Sequence, residues 1–220
     1  MNSILNQSIE ADKIILWIEK KDKKKISSSI NNFKGITIKY CENGLFSYKK
    51  IIPTLRQFKD EYIITLDDDV IYSDKSIEKL VTQSKKYPKD IIANCTHKIK
   101  IKNSYPANYK LWSHNYKKET RYAYFTGTGG VLYPPKCFYK DVLNVKILKK
   151  LAPYGDDIWL NWMVKLKGKK IRFSHIDQNL DGFGYEDIKI IRDGLYKKNV
   201  KLNFNDTQIK NMIKKYGFPF

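Results

Sequence analysis

The sequence predicts an α/β fold in which a mostly parallel central sheet is flanked by helices. Short apolar runs are typical of buried strands, and segments with helical spacing separate them. Strands that alternate with helices favour a parallel sheet, whose ligands bind at the carboxyl ends of the strands. The strand-like runs are 13–19 (KIILWIE), 36–41 (ITIKYC), 62–66 (YIITL) and 91–95 (IIANC).

Helices are predicted between these strands. Residues 48–58 carry apolar side chains at helical spacing, and Pro53 is compatible with a first turn. A second helix follows Ser73 and Asp74, which can cap it, and Pro88 ends it.

The second half of the chain is less regular. Residues 100–125 are rich in aromatic and polar side chains without periodicity, which favours loops and short antiparallel strands. A helix is predicted from Asp156, because its apolar residues share one face and Gly168 can close it. Residues 172–176 indicate a last strand, and 207–216 a basic terminal helix.

The composition is that of a folded domain. The chain has 220 residues, of which 42% are hydrophobic and 14% aromatic, so its core needs no disulfide or metal. The cysteines Cys41, Cys95 and Cys137 are far apart and odd in number, which fits reduced thiols. No run approaches the roughly 20 apolar residues of a membrane span, and no secretion signal is recognised, so we expect a cytoplasmic protein.

The formal net charge is +19, from 42 basic and 23 acidic residues. Clustered cations favour nucleic acid or an anionic membrane surface. Only four of the 42 are arginine, however, and arginine supplies most bidentate phosphate and base contacts. We therefore interpret most of these charges as solvated surface lysines and expect no nucleic-acid partner, although a charge-driven binder stays open as an alternative.

An acidic run, Asp67-Asp68-Asp69, directly follows the strand YIITL. Adjacent carboxylates repel one another unless a cation offsets the repulsion. On an extended segment Asp67 and Asp69 point the same way, so together they can hold Mg²⁺ or Mn²⁺. The alternative is an acidic turn that caps the next helix, but Ser73 and Asp74 are available for that cap.

A second acidic pair, Asp156-Asp157, begins the predicted helix in the second half. Carboxylates at a helix N-terminus are stabilised by its dipole, which is the structural interpretation. The functional interpretation is a general base that takes a proton from an attacking hydroxyl. Gly127, Gly129 and Gly130 lie in TGTGG and can bring the backbone close to a ligand, although glycine clusters are more often plain turns.

The histidines His97, His114 and His175 have no ligand-like spacing. We interpret each as a core or surface residue, with His175 as a reserve metal ligand.

In this order and spacing, the motifs resemble bacterial glycosyltransferases of the GT-A type, close to family 2. The similarity is strongest to the small enzymes found in polysaccharide and lipopolysaccharide assembly, and it covers most of residues 3–166. The matching segments are SILNQSIEADKIILWI, SYKKIIPTL, IITLDDDVIY, TGTGGVLYPP and LAPYGDDIWL.

The resemblance implies that a sugar moves, with inversion, from a nucleotide-sugar donor to a glycan or lipid-linked acceptor in surface polysaccharide synthesis. Asp67 and Asp69 would hold Mn²⁺ or Mg²⁺ on the donor diphosphate, with Asp68 beside them in the donor site. Asp157 would be the catalytic base, and Asp156 stands where glutamate is commoner. The glycines expected to line the donor and acceptor site are Gly127, Gly129 and Gly130.

The resemblance also implies a single GT-A-like, Rossmann-like domain over 1–220. Residues 1–98 would form the half that binds nucleotide sugar and metal, and 99–220 the acceptor and catalytic half. Relatives carry a central first strand upstream of the segment SILNQS, so we expect the sheet to lack it, and a non-catalytic remnant stays open. Basic helices at 141–150 and 207–215 suggest peripheral contact with the inner face of an anionic membrane, the alternative being an ordinary solvated face.

Overall fold

The computed structural model describes residues 2–26, 34–174 and 203–220, which form α/β structure as predicted. The strands are β1 (Ile15–Glu19), β2 (Thr37–Cys41), β3 (Ile63–Thr65), β4 (Ile91–Ala93), β5 (Thr96–Lys98), β6 (Ile101–Lys102), β7 (Tyr105–Pro106), β8 (Ala123–Phe125), β9 (Val131–Tyr133) and β10 (Ile171–Phe173). The α-helices are α1 (Asn2–Leu5), α2 (Ile52–Gln57), α3 (Ser76–Lys86), α4 (Val145–Leu151), α5 (Asp156–Leu166) and α6 (Phe204–Tyr216). Short 3₁₀ helices are Lys20–Lys25, Phe46–Lys50, Tyr109–Leu111, Gly127–Gly129 and Lys140–Leu143.

The largest described sheet has four strands in the order β10-β4-β9-β3. β10 pairs in parallel with β4, whereas β9 runs antiparallel to both of its neighbours. β1 and β2 form a parallel pair, and no ladder between described strands joins this pair to β3.

The sheet is therefore mixed rather than mostly parallel. The difference arises at β9. This strand is an apolar stretch, and its composition does not reveal whether it pairs in parallel or antiparallel with its neighbours. The chain turns through Gly127–Gly129 and enters the gap between β3 and β4 in the opposite direction. All three residues of β9 are buried, as expected of a central strand.

The predicted helices are present, with two changes. The segment 48–58 divides into the 3₁₀ helix Phe46–Lys50 and helix α2, which has Pro53 in its first turn. The predicted cap of the next helix is wrong, because α3 begins only at Ser76 and no side chain caps it at Lys75. Gln7 instead accepts a hydrogen bond from the Ile77 N–H at 2.9 Å, so a residue from the N-terminal segment fills the capping role.

Helix α5 lies in the main core. Trp159, Trp162 and Met163 are fully buried on the predicted apolar face, and Gly168 follows the helix with a positive φ of 74°. The α6 segment packs against α5, and the indole of Trp162 donates to the Gly217 carbonyl at 3.1 Å. Within the described part of the chain, no helix is both long and apolar enough to cross a bilayer.

Asn161 ties α5 to β8. Its Oδ1 accepts from the Phe125 N–H at 3.0 Å, and its Nδ2 donates to the Phe125 carbonyl at 2.9 Å and to the Asp157 carbonyl at 2.7 Å. The side chain is completely buried. It thereby fixes the first turn of α5 relative to the strand that leads into the glycine turn.

We expect Asn161→Leu to lower the free energy of unfolding by at least about 2 kcal/mol, because both polar backbone groups of buried Phe125 lose their Asn161 partner. Urea unfolding followed by tryptophan fluorescence measures the change. The matched control is Asn211→Leu, which removes one 3.2 Å bond from a half-buried amide and should cost less than about 1 kcal/mol. Equal losses for the two variants would contradict the bridging role of Asn161.

Candidate active site

Four separate segments of the chain meet beyond the end of β3. The acidic run follows β3 directly, and the second acidic pair begins α5. The 3₁₀ helix Phe46–Lys50 and the glycine turn Gly127–Gly129 lie against both. The structure therefore brings the two acidic motifs and the glycine motif to one place.

Lys50 connects the two acidic motifs. Its ammonium donates to Asp67 Oδ1 at 2.5 Å and lies 3.2 Å from Asp156 Oδ2. The second contact is ionic rather than a directed hydrogen bond, since Asp156 Oδ2 is buried without a hydrogen-bond partner among the described residues. The three side chains are only 19%, 24% and 11% exposed, so water screens this triad weakly.

Two tyrosines hold the segments in place. The Tyr72 hydroxyl accepts from the Asp67 N–H at 2.7 Å and donates to the Thr128 carbonyl at 3.0 Å. The buried Tyr48 hydroxyl contacts the Ala152 carbonyl at 2.5 Å, just before α5. Tyr72 thus joins the acidic run to the glycine turn, and Tyr48 joins the 3₁₀ helix to the loop that leads into α5.

Gly127 touches the catalytic candidate Asp157 directly. Its N–H donates to Asp157 Oδ1 at 2.9 Å. A Cβ atom at this position would lie 2.9 Å from Lys50 Nζ and 3.1 Å from Asp157 Oδ1, so a side chain would disturb both groups. Glycine allows the backbone to approach these charges closely.

Gly129 and Gly130 face the protein interior instead. A Cβ on Gly129 would lie 2.5 Å from the Cys95 sulfur, and one on Gly130 would lie 2.8 Å from Leu66 Cδ2. Gly130 also has a φ of 93°. Packing therefore explains these two glycines, and their predicted contact with the donor stays a prediction.

The pKa values of the site reflect crowded charge. Burial raises the pKa of Asp157 well above its usual value, and the neighbouring Asp156 adds to the effect. Burial lowers the pKa of Lys50, but the carboxylates of Asp156, Asp67 and Asp157 outweigh it and hold that pKa well above its ordinary value. The ammonium therefore stays charged at any physiological pH.

The other two acids of the first motif are more exposed. Asp68 and Asp69 lie in a turn, so the alternation of an extended strand does not orient them. Asp68 is 3.9 Å from the ammonium of Lys49, and both of these side chains are exposed. Partial burial raises the pKa of Asp69, and the charges of Asp67 and Asp68 add to the rise.

Metal-ligating groups outside these acids are few. The described residues contain no cluster of three or more histidine, cysteine or acidic side chains placed to hold a metal ion. His97 is buried, and its Nε2 is 3.2 Å from His114 Nδ1, so these two histidines contact each other. His175 lies outside the described residues, and Cys41, Cys95 and Cys137 are free and buried.

Sequence reasoning missed Lys50, Tyr48 and Tyr72. The indirect signal for Lys50 was the acidic residues themselves, which require a counter-ion. Nothing in the spacing distinguishes it from the other basic residues of the chain. Each tyrosine forms hydrogen bonds between its hydroxyl group and backbone atoms, and such contacts produce no recognisable spacing in a sequence.

Asp157→Asn should stabilise the protein at pH 8 and have little effect at pH 4. Because the pKa of Asp157 is raised in the folded state, the folded protein keeps this proton to higher pH than the unfolded chain does. The contribution of Asp157 to the free energy of unfolding therefore falls as the pH rises above about 3.9, which is the pKa of an aspartate in the unfolded chain. Asparagine does not ionise, so it avoids this loss, and its side-chain oxygen can still accept the hydrogen bond from the Gly127 N–H.

Thermal unfolding at the two pH values measures the effect, and each 1 kcal/mol appears as about 2–4 °C. The control is Asp60→Asn, an acid whose side chain is 71% exposed and which should give no gain at pH 8. A gain from Asp157→Asn that is the same at pH 4 and pH 8 would contradict the raised pKa.

Comparison with known protein families identifies a match. The family model described as glycosyl transferase family 2 matches residues 1–147, which include the acidic run and the glycine turn and end before α5. No curated protein matches the chain. Because the family match spans more than half of the chain and includes two of the converging motifs, the protein belongs to glycosyl transferase family 2.

Proposed function

We propose that this chain is a divalent-cation-dependent, inverting glycosyltransferase that moves a sugar from a nucleotide-sugar donor to an acceptor hydroxyl. Membership of the family supports transfer from a nucleotide sugar. The observation that carries the proposal is the convergence of Asp67 and Asp157, which are distant in sequence, on one ammonium and one glycine turn.

The negative charge of these acids suits a divalent cation, and the donor would supply the cation's remaining ligands. Five carboxylates lie around Lys50 and the more exposed Lys49, so the acids outnumber the two lysines beside them. Asp67 and Asp69 offer hard oxygen ligands, which Mg²⁺ and Mn²⁺ prefer. We infer that these two acids hold the metal against the donor diphosphate, with Asp68 beside them. When bound, the metal would neutralise charge on the departing nucleoside diphosphate.

Asp157 is the proposed general base. Gly127 holds its Oδ1, and no described residue hydrogen-bonds to Oδ2, so Oδ2 is the atom that takes the proton of the acceptor hydroxyl. A carboxylate with a raised pKa is a stronger base than an ordinary aspartate. The deprotonated hydroxyl attacks the anomeric carbon from the face opposite the leaving diphosphate, which inverts that carbon.

The acceptor is proposed to be a glycan or a lipid-linked sugar of surface polysaccharide synthesis. The sequence resemblance supports this pathway. The basic helices α4 and α6 support peripheral contact with the inner face of an anionic membrane, since both end in pairs of lysines. We place residues 1–98 on the donor side and 99–220 on the acceptor side of a single domain.

We expect the purified protein to release a nucleoside diphosphate from at least one member of a nucleotide-sugar panel in the presence of Mn²⁺, with a glycan or lipid-linked acceptor. Asp157→Asn should lower the rate by at least about 100-fold, because general-base catalysis contributes roughly 10²–10⁴-fold. The assay measures diphosphate release and the stereochemistry of the product. Full activity of Asp157→Asn, or retention of configuration, would contradict the mechanism.

Calorimetry with UDP and Mn²⁺ tests the donor site separately. We expect Asp69→Ala to abolish the Mn²⁺-dependent heat of binding, because it removes one of two proposed metal ligands. The control is Asp74→Ala, an exposed carboxylate just beyond the acidic run. Absence of UDP binding to the unaltered protein would instead favour the non-catalytic remnant.

A further inference from the structure

We propose that Lys50 is the resident counter-ion of the metal site and competes with the divalent cation for Asp67. This inference rests on the proposed function, since it assigns to one residue the control of cation entry. The competition makes binding of the free metal ion weak until the donor adds its own negative charge and its own ligands.

The first step of the argument is the geometry of Asp67. One of its two carboxylate oxygens, Oδ1, is held by the Lys50 ammonium at 2.5 Å. The Asp67 backbone is fixed by Tyr72, so the carboxylate cannot move far from the ammonium without disturbing the acidic run. A cation that uses Oδ1 must therefore displace Lys50.

The second step is charge. The ammonium lies at ion-pair distance from both Asp67 and Asp156, and the backbone of Gly127 holds Asp157 close to it. A doubly charged ion brought to Asp67 meets this fixed positive charge at short range and with little screening. The same ion also gains from Asp68 and Asp69, neither of which forms an ion pair with Lys50 among the described residues.

The third step is the alternative partner for the ammonium. Asp156 Oδ2 is buried, lacks a hydrogen bond among the described residues and lies 3.2 Å from Lys50 Nζ. When Asp67 binds the cation, Lys50 can turn this ionic contact into a hydrogen bond. The exchange leaves the ammonium beside Asp157, where its charge favours the ionised form of the base.

Mn²⁺ binding without donor, followed by the electron paramagnetic resonance signal of free Mn²⁺ at pH 8, tests the competition. Lys50→Gln and Lys50→Met should bind Mn²⁺ about tenfold tighter or more than the unaltered protein, because a positive charge next to the ion is gone. Lys50→Arg keeps the charge and should bind no tighter than the unaltered protein.

The matched control is Lys49→Gln. It removes the same charge one residue away, but Lys49 is 37% exposed and 3.9 Å from an Asp68 that is 60% exposed, so the affinity should change less than about twofold. An equal gain in Lys49→Gln would show a general effect of net charge and overturn the proposal. Unchanged or weaker binding by both neutral Lys50 variants would also overturn it.

A measurement on the unaltered protein covers the case in which the Lys50 variants do not fold. Competition is reciprocal, so Mg²⁺ with UDP should move the Lys50 ammonium from Asp67 to Asp156. In protein that carries ¹⁵N-labelled lysine, the NMR signal of the Lys50 ammonium should then shift, while the signal of Lys49 stays constant. An unchanged Lys50 signal would overturn the proposal.

The outcomes separate this inference from the proposed function. Mn²⁺ binding with UDP in the unaltered protein, without tightening in Lys50→Gln, contradicts the competition and leaves the transferase intact. Absence of Mn²⁺ binding in every variant, with or without UDP, overturns both the competition and the metal requirement. Sugar transfer in EDTA then decides whether transferase activity stands without the metal.

Discussion

The arrangement of the site depends on one ion-pair triad, in which the Lys50 ammonium lies between Asp67 and Asp156. The two acids belong to different halves of the chain, at the end of β3 and at the start of α5. Without the ammonium their charges would repel at short range in a poorly screened environment. The lysine therefore allows the two acidic motifs to occupy one site.

The surrounding structure positions the partners of this triad. Asn161 fixes α5 to β8, the chain then turns tightly at the glycines, and Tyr72 ties that turn to the acidic run. Gly127 adds an N–H that fixes one oxygen of Asp157. Each contact links backbone to side chain across elements, so the acids are held by the core and not by flexible surface groups.

Much of this architecture follows from the sequence, and the missing parts have physical reasons. Apolar runs and helical spacing locate β3 and α5, because burial imposes a period on the chain. The antiparallel direction of β9 is not encoded in three apolar residues, since direction depends on where the preceding turn sends the chain. The Gln7 cap is equally hidden, because the residue it caps is far away in sequence.

For the site, the sequence locates the acidic motifs, whose negative charges repel one another. It does not identify the lysine whose positive charge balances them. The paired acids stand out because adjacent carboxylates are unfavourable without a role or a counter-ion. Lys50 does not stand out, since any of 42 basic residues would satisfy that requirement in principle. Only the fold selects it, by placing the last turn of a 3₁₀ helix against the end of β3.

The contrast between global and local charge gives the proposed cation a defined role. The chain carries +19 overall, which attracts an anionic nucleotide sugar over long distances. The site itself is acidic, with five carboxylates near one half-buried and one more exposed lysine, and it repels a diphosphate at close range. Neutral pairing of Lys50 with Asp67 reduces this repulsion without removing it. In the proposed mechanism, a divalent ion that arrives with the diphosphate would supply the remaining positive charge. Its entry would release Lys50 toward the acids of α5, which include the proposed base.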